Sequence, residues 1–302
     1  MNAPTRPTDP YQARPIKRTR RTAAQVEQLE RQILDVLAED HPQSVRHVFY
    51  RMTDPRLPEP VEKTEAGYVQ VQDRIVKMRR ADKLPYGWIT DATRRGYFVD
   101  TFSGTGDFLR RMQGLYRADL WRQSAYYCEV WTESRSIAGT IQGDCEELAV
   151  SLYPCGGFSS ISLAYQAAES INARRDGKPV IILYVGDYDP AGVLIDVALE
   201  RELRSHLHHD VVMMFHRLGI TPEQIAEYDL PGKPRKAGDR RALHISETVE
   251  AEALPAGILR RMLRSAIEHL LPDDALVVAR AAEESERALI GRLSDICAEG
   301  SS

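Results

Sequence analysis

The sequence lacks several features that would assign it to a protein class directly. No run approaches the roughly 18 apolar residues of a membrane-spanning helix. The N-terminal residues are polar and lack the apolar segment of a secretory signal peptide, so we expect a cytoplasmic protein. The 4 cysteines are scattered without a CxxC pair, which argues against a zinc finger or a disulfide framework. The P-loop pattern of nucleotide hydrolases is also absent.

Charge is distributed unevenly along the 302 residues. Residues 1–125 carry 22 Lys and Arg against 16 Asp and Glu, whereas residues 126–302 carry 18 against 28. This asymmetry predicts two modules, of which the basic one suits a polyanion. Residues 1–21 are rich in proline and arginine and are predicted to be a disordered basic tail. The tail is interpreted either as a solubilising end or as a phosphate-binding arm.

Residues 22–110 are predicted to form a winged-helix DNA-binding domain. Apolar spacing and caps indicate helices over 23–39, 44–52 and about 65–82, followed by short strands near Trp88 and residues 97–99. Three helices followed by a hairpin is the element order of a winged helix. The third helix would meet DNA through its basic face, whose alternative interpretation is a solvated surface. The candidate DNA contacts on it are Arg74, Lys77, Arg79 and Arg80.

Residues 122–302 are predicted to form a parallel α/β domain that ends in two long helices. Strands alternate with helices in this region, and residues 180–185 form a continuous apolar strand suited to a buried parallel sheet. Ligands bind such sheets at the carboxyl ends of the strands. Catalytic or ligand-binding residues are therefore expected directly after the strands of this sheet.

Carboxylates follow two of these strands. Asp187 and Asp189 lie in a DxDPxG sequence directly after residues 180–185, and Glu133 ends the first strand of the module. Hard oxygen ligands at one sheet edge predict a site for Mg²⁺, with Mn²⁺ as an alternative. Glu129 competes with Glu133 for this role but lies within the strand. The alternative interpretation of the DxD sequence is a solvated turn with a helix-capping aspartate.

Two loops are candidate phosphate contacts. Gly156 and Gly157 follow the second strand of the module, where backbone N–H groups could approach a phosphate. A basic loop in the acidic half carries Lys233, Arg235 and Lys236, which either contact DNA or are merely solvated.

These motifs together resemble a known family. A glutamate after strand one, a glycine loop after strand two and DxDPxG after strand three resemble a Toprim domain. The DxDPxG form is similar to that of the topoisomerase VI A subunit and its relative, the meiotic double-strand-break transesterase. Both have a winged-helix domain before the Toprim domain, with an Arg-x-x-(Phe/Tyr)-Tyr motif that matches Arg46 to Tyr50 here. The length is most similar to the compact stand-alone versions called Mini-A, and residues 249–254 resemble a late family segment.

The resemblance implies an enzyme that cleaves and rejoins DNA. Tyr50 would be the nucleophile, forming a 5′-phosphotyrosyl link, and Arg46 would stabilise charge on the phosphate. On a helical wheel Tyr50 falls off the apolar face and Arg46 lies one turn before it, which argues against a core tyrosine. The helix alone favours a surface tyrosine without a role, and the match to the family motif favours the nucleophile. The resemblance also implies a homodimer that cuts both strands of duplex DNA, with the tyrosine of one subunit meeting the metal of the other. A separate ATPase subunit would be needed for strand passage, and the location would be the nucleoid.

Two alternatives remain. The first is a Toprim nuclease in which water attacks the phosphate, and the second is a DNA-binding module without catalysis. The DxDPxG sequence favours an enzyme, and the Arg46–Tyr50 motif favours the transesterase.

Overall fold

The computed structural model of the chain describes residues 21–90, 99–156, 161–235, 242, 245 and 247–299. The predicted N-terminal tail, apart from Arg21, lies outside these residues. Within the described ranges, no helix combines the length and the apolar composition needed to cross a membrane. The chain is a mixed α/β protein with a parallel sheet, which confirms the predicted fold class at this level.

Three helices form the N-terminal part, and a hydroxyl side chain caps the start of each. Thr22 and Gln25 form a reciprocal capping box at the first helix, while Ser44 and Thr64 accept backbone N–H groups at the next two. These caps satisfy donors that have no partner within the first helical turn. The helices are α1 (Ala23–Glu39), α2 (Val45–Met52) and α3 (Glu65–Arg80).

The segment after α3 differs from the predicted hairpin. Trp88 lies in a 3₁₀ turn, Tyr86–Trp88, rather than in a strand. The next residues form β2 (Ile89–Thr90), which pairs in parallel with β1 (Gln43–Ser44) between α1 and α2. The predicted second strand lies outside the described residues except for Val99, which has no regular structure.

A four-stranded parallel sheet forms the centre of the second part, in the order β4–β3–β5–β6. Every residue of β5 is buried, because this strand has a neighbour on each edge and helices on both faces. The strands are β3 (Tyr127–Thr132), β4 (Ser151–Pro154), β5 (Val180–Val185) and β6 (Met213–Gly219).

Helices on the two faces of the sheet create two apolar cores. On one face, α6 (Ile161–Arg174) and α7 (Gly192–His206) pack around Trp131 and Tyr184. On the other face lie α5 (Arg135–Glu147) and α9 (Ala256–Glu268). This second core is continuous with the core of α1, α2 and α3. The regions predicted as two domains, 22–110 and 122–302, therefore share apolar packing.

The remaining elements connect and extend these layers. The C-terminal helix packs along the helix of the connector, where Gly106 allows a close approach to the carbonyl of Ser294. The elements are α4 (Thr105–Gln113), α8 (Pro222–Glu227), β7 (Lys233–Pro234), β8 (Glu247–Thr248), a 3₁₀ turn (Ala251–Ala253) and α10 (Ala275–Glu299).

Candidate functional site

Glu133 and Asp187 meet at the carboxyl edge of the sheet. Glu133 follows β3, and Asp187 follows β5, the neighbouring strand. The backbone N–H of Asp187 donates to Oε2 of Glu133 at 3.0 Å. The competitor, Glu129, is buried within β3, where Tyr127 Oη and Trp131 Nε1 each donate to its carboxylate at 3.0 Å. Glu133 is therefore the glutamate beside the DxDPxG loop.

Asp189 lies on the same loop and directs one oxygen to the backbone. Its Oδ1 accepts the N–H groups of Ala191 at 2.8 Å and Gly192 at 2.6 Å, at the start of α7. A Cβ at position 192 would lie 2.2 Å from the carbonyl oxygen of Asp187, so this turn requires glycine. The helix-capping interpretation is thus correct for Oδ1 of Asp189.

The segment after β8 packs directly against the DxDPxG loop. Tyr188 and Val249 exchange backbone hydrogen bonds of 2.8 and 2.9 Å. Two residues later, the N–H of Ala251 donates to Oδ1 of Asp187 at 2.8 Å. These bonds bring residues about 60 positions apart along the chain to one edge of the sheet.

Two glutamates of that segment join the site, and sequence analysis assigned neither a role. Glu252 is 5% exposed, with the Ser134 hydroxyl donating to its Oε1 at 3.1 Å. Glu250 faces α2 instead, through an ion pair with Arg46. The signal in the sequence was the pair of acids separated by one residue within the segment that resembles the family.

Burial raises the pKa values of the clustered carboxyl groups. It is the largest influence on Glu133, Asp187 and Glu252, and the charge of neighbouring carboxylates raises their pKa values further. The pKa of Asp187 reaches about 8. Because the crowded negative charges are unfavourable, this edge of the sheet has an electrostatic preference for a cation.

Arg217 of β6 braces the loop that carries Asp187. Its guanidinium donates to the carbonyls of Gly186 at 3.1 Å, of Ile220 at 3.0 Å and of Asp187. It also pairs with Asp196 of α7 at 2.6 Å. A planar group with several fixed donors suits this role, because it ties the loop to both a strand and a helix.

The donor chemistry of the site fits a hard divalent cation. Glu133, Asp187 and Asp189 offer only carboxylate oxygens, the ligands preferred by Mg²⁺ and Mn²⁺. No three acidic, His or Cys side chains stand in a ligating arrangement among the residues that the structure describes. One oxygen of Asp187 and one of Asp189 each accept backbone N–H groups, which leaves the second oxygen of each carboxylate available to a cation.

Tyr50 is buried, so the helical-wheel prediction of its environment is wrong. Its side chain is 5% exposed and belongs to the core shared by α2 and the sheet. The wheel describes α2 alone, whereas the 3₁₀ turn Ala251–Ala253 packs against this helix. Burial, with the nearby Glu250 carboxylate, raises the pKa of the phenol above its usual range.

Glu250 connects Tyr50 to two cations. The Tyr50 phenol lies close enough to its carboxylate for the negative charge to raise the phenol pKa. Arg46 donates to Oε2 at 2.5 Å, and Lys233 of β7 donates to Oε1 at 3.1 Å. Arg46 also lies over the ring of Tyr68, 5.2 Å from its centroid. We call Glu250, Arg46, Lys233 and Tyr50 the Glu250 network.

Two of the four predicted DNA contacts on α3 are engaged within the protein. Arg74 pairs with Glu30 of α1 at 3.1 Å. Arg79 donates to the carbonyls of Tyr86 at 2.5 Å and Ile89 at 3.0 Å, and so fixes the chain that leads into β2. Arg74 and Arg79 therefore have partners within the protein, and the role of the four cations as DNA contacts stays a prediction.

The other two cations of α3 face solvent. Lys77 is exposed and pairs only with Asp73 on the same helix, at 2.6 Å, among the described residues. Arg80 is exposed at the end of the helix. An exposed pair within one helix contributes little to stability, so both cations are accessible to a ligand.

The predicted phosphate loops are partly described. Arg235 donates to the carbonyls of Ala242 and Ile245, both at 3.3 Å, and so shapes its own loop. Gly156 has a φ of +68° and donates its N–H to the Glu133 carbonyl at 2.9 Å. Gly157 and Lys236 lie outside the described residues.

Comparison with family models, with curated proteins and with solved structures finds no match to this chain. Its function is therefore inferred from the residues described above.

Proposed function

We propose that the chain is a divalent-metal-dependent DNA transesterase of the topoisomerase VI A type, with a winged-helix part followed by a Toprim part. The observation that supports this most is the short connection between the phenol and the carboxylates. Tyr50 lies beside the Glu250 carboxylate, the N–H of the next residue, Ala251, donates to Asp187, and the N–H of Asp187 donates to Glu133. One chain therefore carries both groups that such an enzyme needs, on adjoining elements, and in the implied homodimer the tyrosine of one subunit would meet the metal of the other.

In the proposed reaction, Tyr50 attacks a DNA phosphodiester. A bond forms between its Oη and phosphorus, and the bond from phosphorus to the 3′ oxygen breaks. The phenol loses a proton, and the departing 3′ oxygen gains one. The products are a 5′-phosphotyrosyl link and a free 3′ hydroxyl, so the ester bond is retained for rejoining.

The surrounding side chains supply what this reaction needs. A phenol has a pKa of about 10 in water and is a weak nucleophile when protonated. Arg46 lies one turn before Tyr50 on α2, and its guanidinium can donate two hydrogen bonds to the oxygens of one phosphate. Glu133, Asp187 and Asp189 would hold Mg²⁺ or Mn²⁺, which when bound neutralises negative charge on the phosphate.

The proposed substrate is double-stranded DNA, contacted by exposed cations such as Lys77 and Arg80. By the same resemblance, the active form is a homodimer that cuts both strands, located at the nucleoid. Strand passage would need a separate ATPase subunit, because this sequence has no P-loop.

The burial of Tyr50 favours one alternative function. A phenol that is 5% exposed and lies beside a carboxylate is shielded from a large substrate. In a metal-dependent nuclease, water would attack instead and Tyr50 would be structural. The acidic edge of the sheet is equally suited to that reaction.

One experiment separates the two functions. Duplex DNA labelled at either the 5′ or the 3′ end is incubated with the protein and Mg²⁺, then denatured and examined for covalently bound protein. The transesterase predicts a protein-linked 5′ end at the break, and Tyr50→Phe should remove both the adduct and cleavage. Tyr68→Phe is the matched control, because it removes a hydroxyl from a neighbouring aromatic residue that contacts Arg46. Full cleavage without an adduct would establish the nuclease.

A further inference from the structure

We infer that the Glu250 carboxylate occupies the place of a DNA phosphate and competes with the substrate for Arg46 and Lys233. This inference rests on the proposed function, because it takes the competing ligand to be a backbone phosphate of DNA. It adds an internal regulatory contact to that function.

The contacts of Glu250 are those expected of a bound oxyanion. Arg46 donates to one carboxylate oxygen and Lys233 to the other, at 2.5 and 3.1 Å, and the Tyr50 phenol lies nearby. Carboxylates and phosphates are recognised by the same charged donors. Two cations and the hydroxyl of the proposed nucleophile are the groups that a reacting phosphodiester would need around it.

The two cations can be reached from solvent. The side chains of Arg46 and Lys233 are 40% and 47% exposed, and Glu250 is 27% exposed. Ion pairs at this exposure are worth little, because water and salt screen them. A polyanion such as DNA can therefore displace the carboxylate without disturbing the core beneath it.

The network also joins the two parts of the chain. Arg46 and Tyr50 lie on α2, whereas Lys233 lies in β7 and Glu250 follows β8, more than 180 residues later. Lys63, which follows α2, donates to the carbonyls of Pro231 and Gly232, just before β7. Displacing Glu250 would release the Arg46 ion pair between these parts while leaving the Lys63 contacts in place.

The test measures binding of a fluorescent duplex by anisotropy in EDTA, where the metal-dependent cleavage does not proceed. Glu250→Gln keeps the shape of the side chain but removes its negative charge, which releases both cations. We expect it to bind DNA about tenfold more tightly than wild type, with a salt dependence steeper by roughly one to two released counterions. The control, Glu247→Gln, makes the same change of charge at an exposed residue of β8 and should alter affinity by about twofold at most.

Two further variants distinguish competition from a general effect of charge. Glu250→Asp keeps the net charge but shortens the side chain. Competition therefore predicts tighter DNA binding by this variant, whereas a general effect of net charge predicts no change in affinity. In an Arg46→Ala, Lys233→Ala background, the gain from Glu250→Gln should disappear, because the contested cations are gone.

The outcomes are separable. Equal affinity for the Glu250→Gln and Glu247→Gln variants, or a gain that persists without Arg46 and Lys233, overturns the competition and leaves the proposed function intact. Failure of wild type and every variant to bind duplex DNA overturns both.

Discussion

Replacing the buried Glu129 by glutamine should change how the stability of the protein depends on pH. Glu129 is fully buried on β3, and Tyr127 Oη and Trp131 Nε1 donate to its carboxylate. A glutamine can keep both contacts, since its carbonyl accepts from the indole and its amide donates to the phenol oxygen. The substitution therefore removes an ionisable group with little change of packing.

The size of the effect follows from the pKa of the group. Burial raises the pKa of Glu129 from 4.5 to about 7, although the two donors and Arg174 oppose the shift. Between these values the folded chain holds a proton that the unfolded chain has lost, so wild-type stability falls as pH rises through this window. At about 1.4 kcal/mol per pKa unit, glutamine should gain about 2–3 kcal/mol relative to wild type between roughly pH 5 and pH 8.

Urea unfolding in EDTA at several pH values measures this difference. The control is Glu169→Gln, which replaces an exposed glutamate of α6. The free energy of unfolding of this variant should change with pH as that of wild type does. A constant difference in unfolding free energy between wild type and the Glu129 variant across this range would refute the reasoning. It would mean that Glu129 titrates alike in the folded and unfolded chains.

Three further predictions concern the site and the DNA-binding surface. Asp187→Asn should stabilise the metal-free protein above about pH 5, because the pKa of this carboxyl is raised to about 8, and it should abolish thermal stabilisation by Mg²⁺. Gly192→Ala should lower the free energy of unfolding by about 2 kcal/mol or more, because its Cβ would lie 2.2 Å from a carbonyl oxygen. Gly143→Ala on α5, where no atom lies near the added Cβ, should raise the free energy of unfolding by about 0.5–1 kcal/mol. Urea denaturation measures both effects. Replacing Lys77 and Arg80 by alanine should reduce the slope of log affinity against log salt by roughly 0.9 for each DNA phosphate that is no longer neutralised, and an unchanged slope would make this face a solvated surface.

Local features of the structure could be predicted from the sequence where one segment carries the whole signal. Thr22 and Ser44 mark the starts of α1 and α2, and the apolar residues 180–185 coincide with β5. The position of Glu133 beside Asp187 also followed from strand order, because parallel strands bring their carboxyl ends to one edge. In each case the deciding interaction lies within a few residues or follows from a topological rule.

Features that depend on distant residues could not be predicted in this way. The environment of Tyr50 is set by Glu250 and the turn after it, 200 residues along the chain. Periodicity places Arg79 on the surface of α3, yet its role is decided by the carbonyls of a turn that periodicity does not reveal. The two-residue strands β7 and β8 are too short for any pattern.

The charge asymmetry of the chain acquires a physical explanation from these contacts. Part of the positive charge of the N-terminal half is paired with acids of the C-terminal half, as in Arg46 with Glu250 and Arg117 with Glu283, at 2.5 and 3.3 Å. The net charge of the N-terminal half therefore overestimates the positive surface that is free to bind DNA while these ion pairs are present. Lys77 and Arg80 of α3 are accessible from the start, whereas Arg46 is released from its ion pair only when Glu250 is displaced. Binding to α3 would raise the local concentration of phosphate beside the Glu250 network, which would favour the proposed exchange of carboxylate for phosphate where DNA is already held.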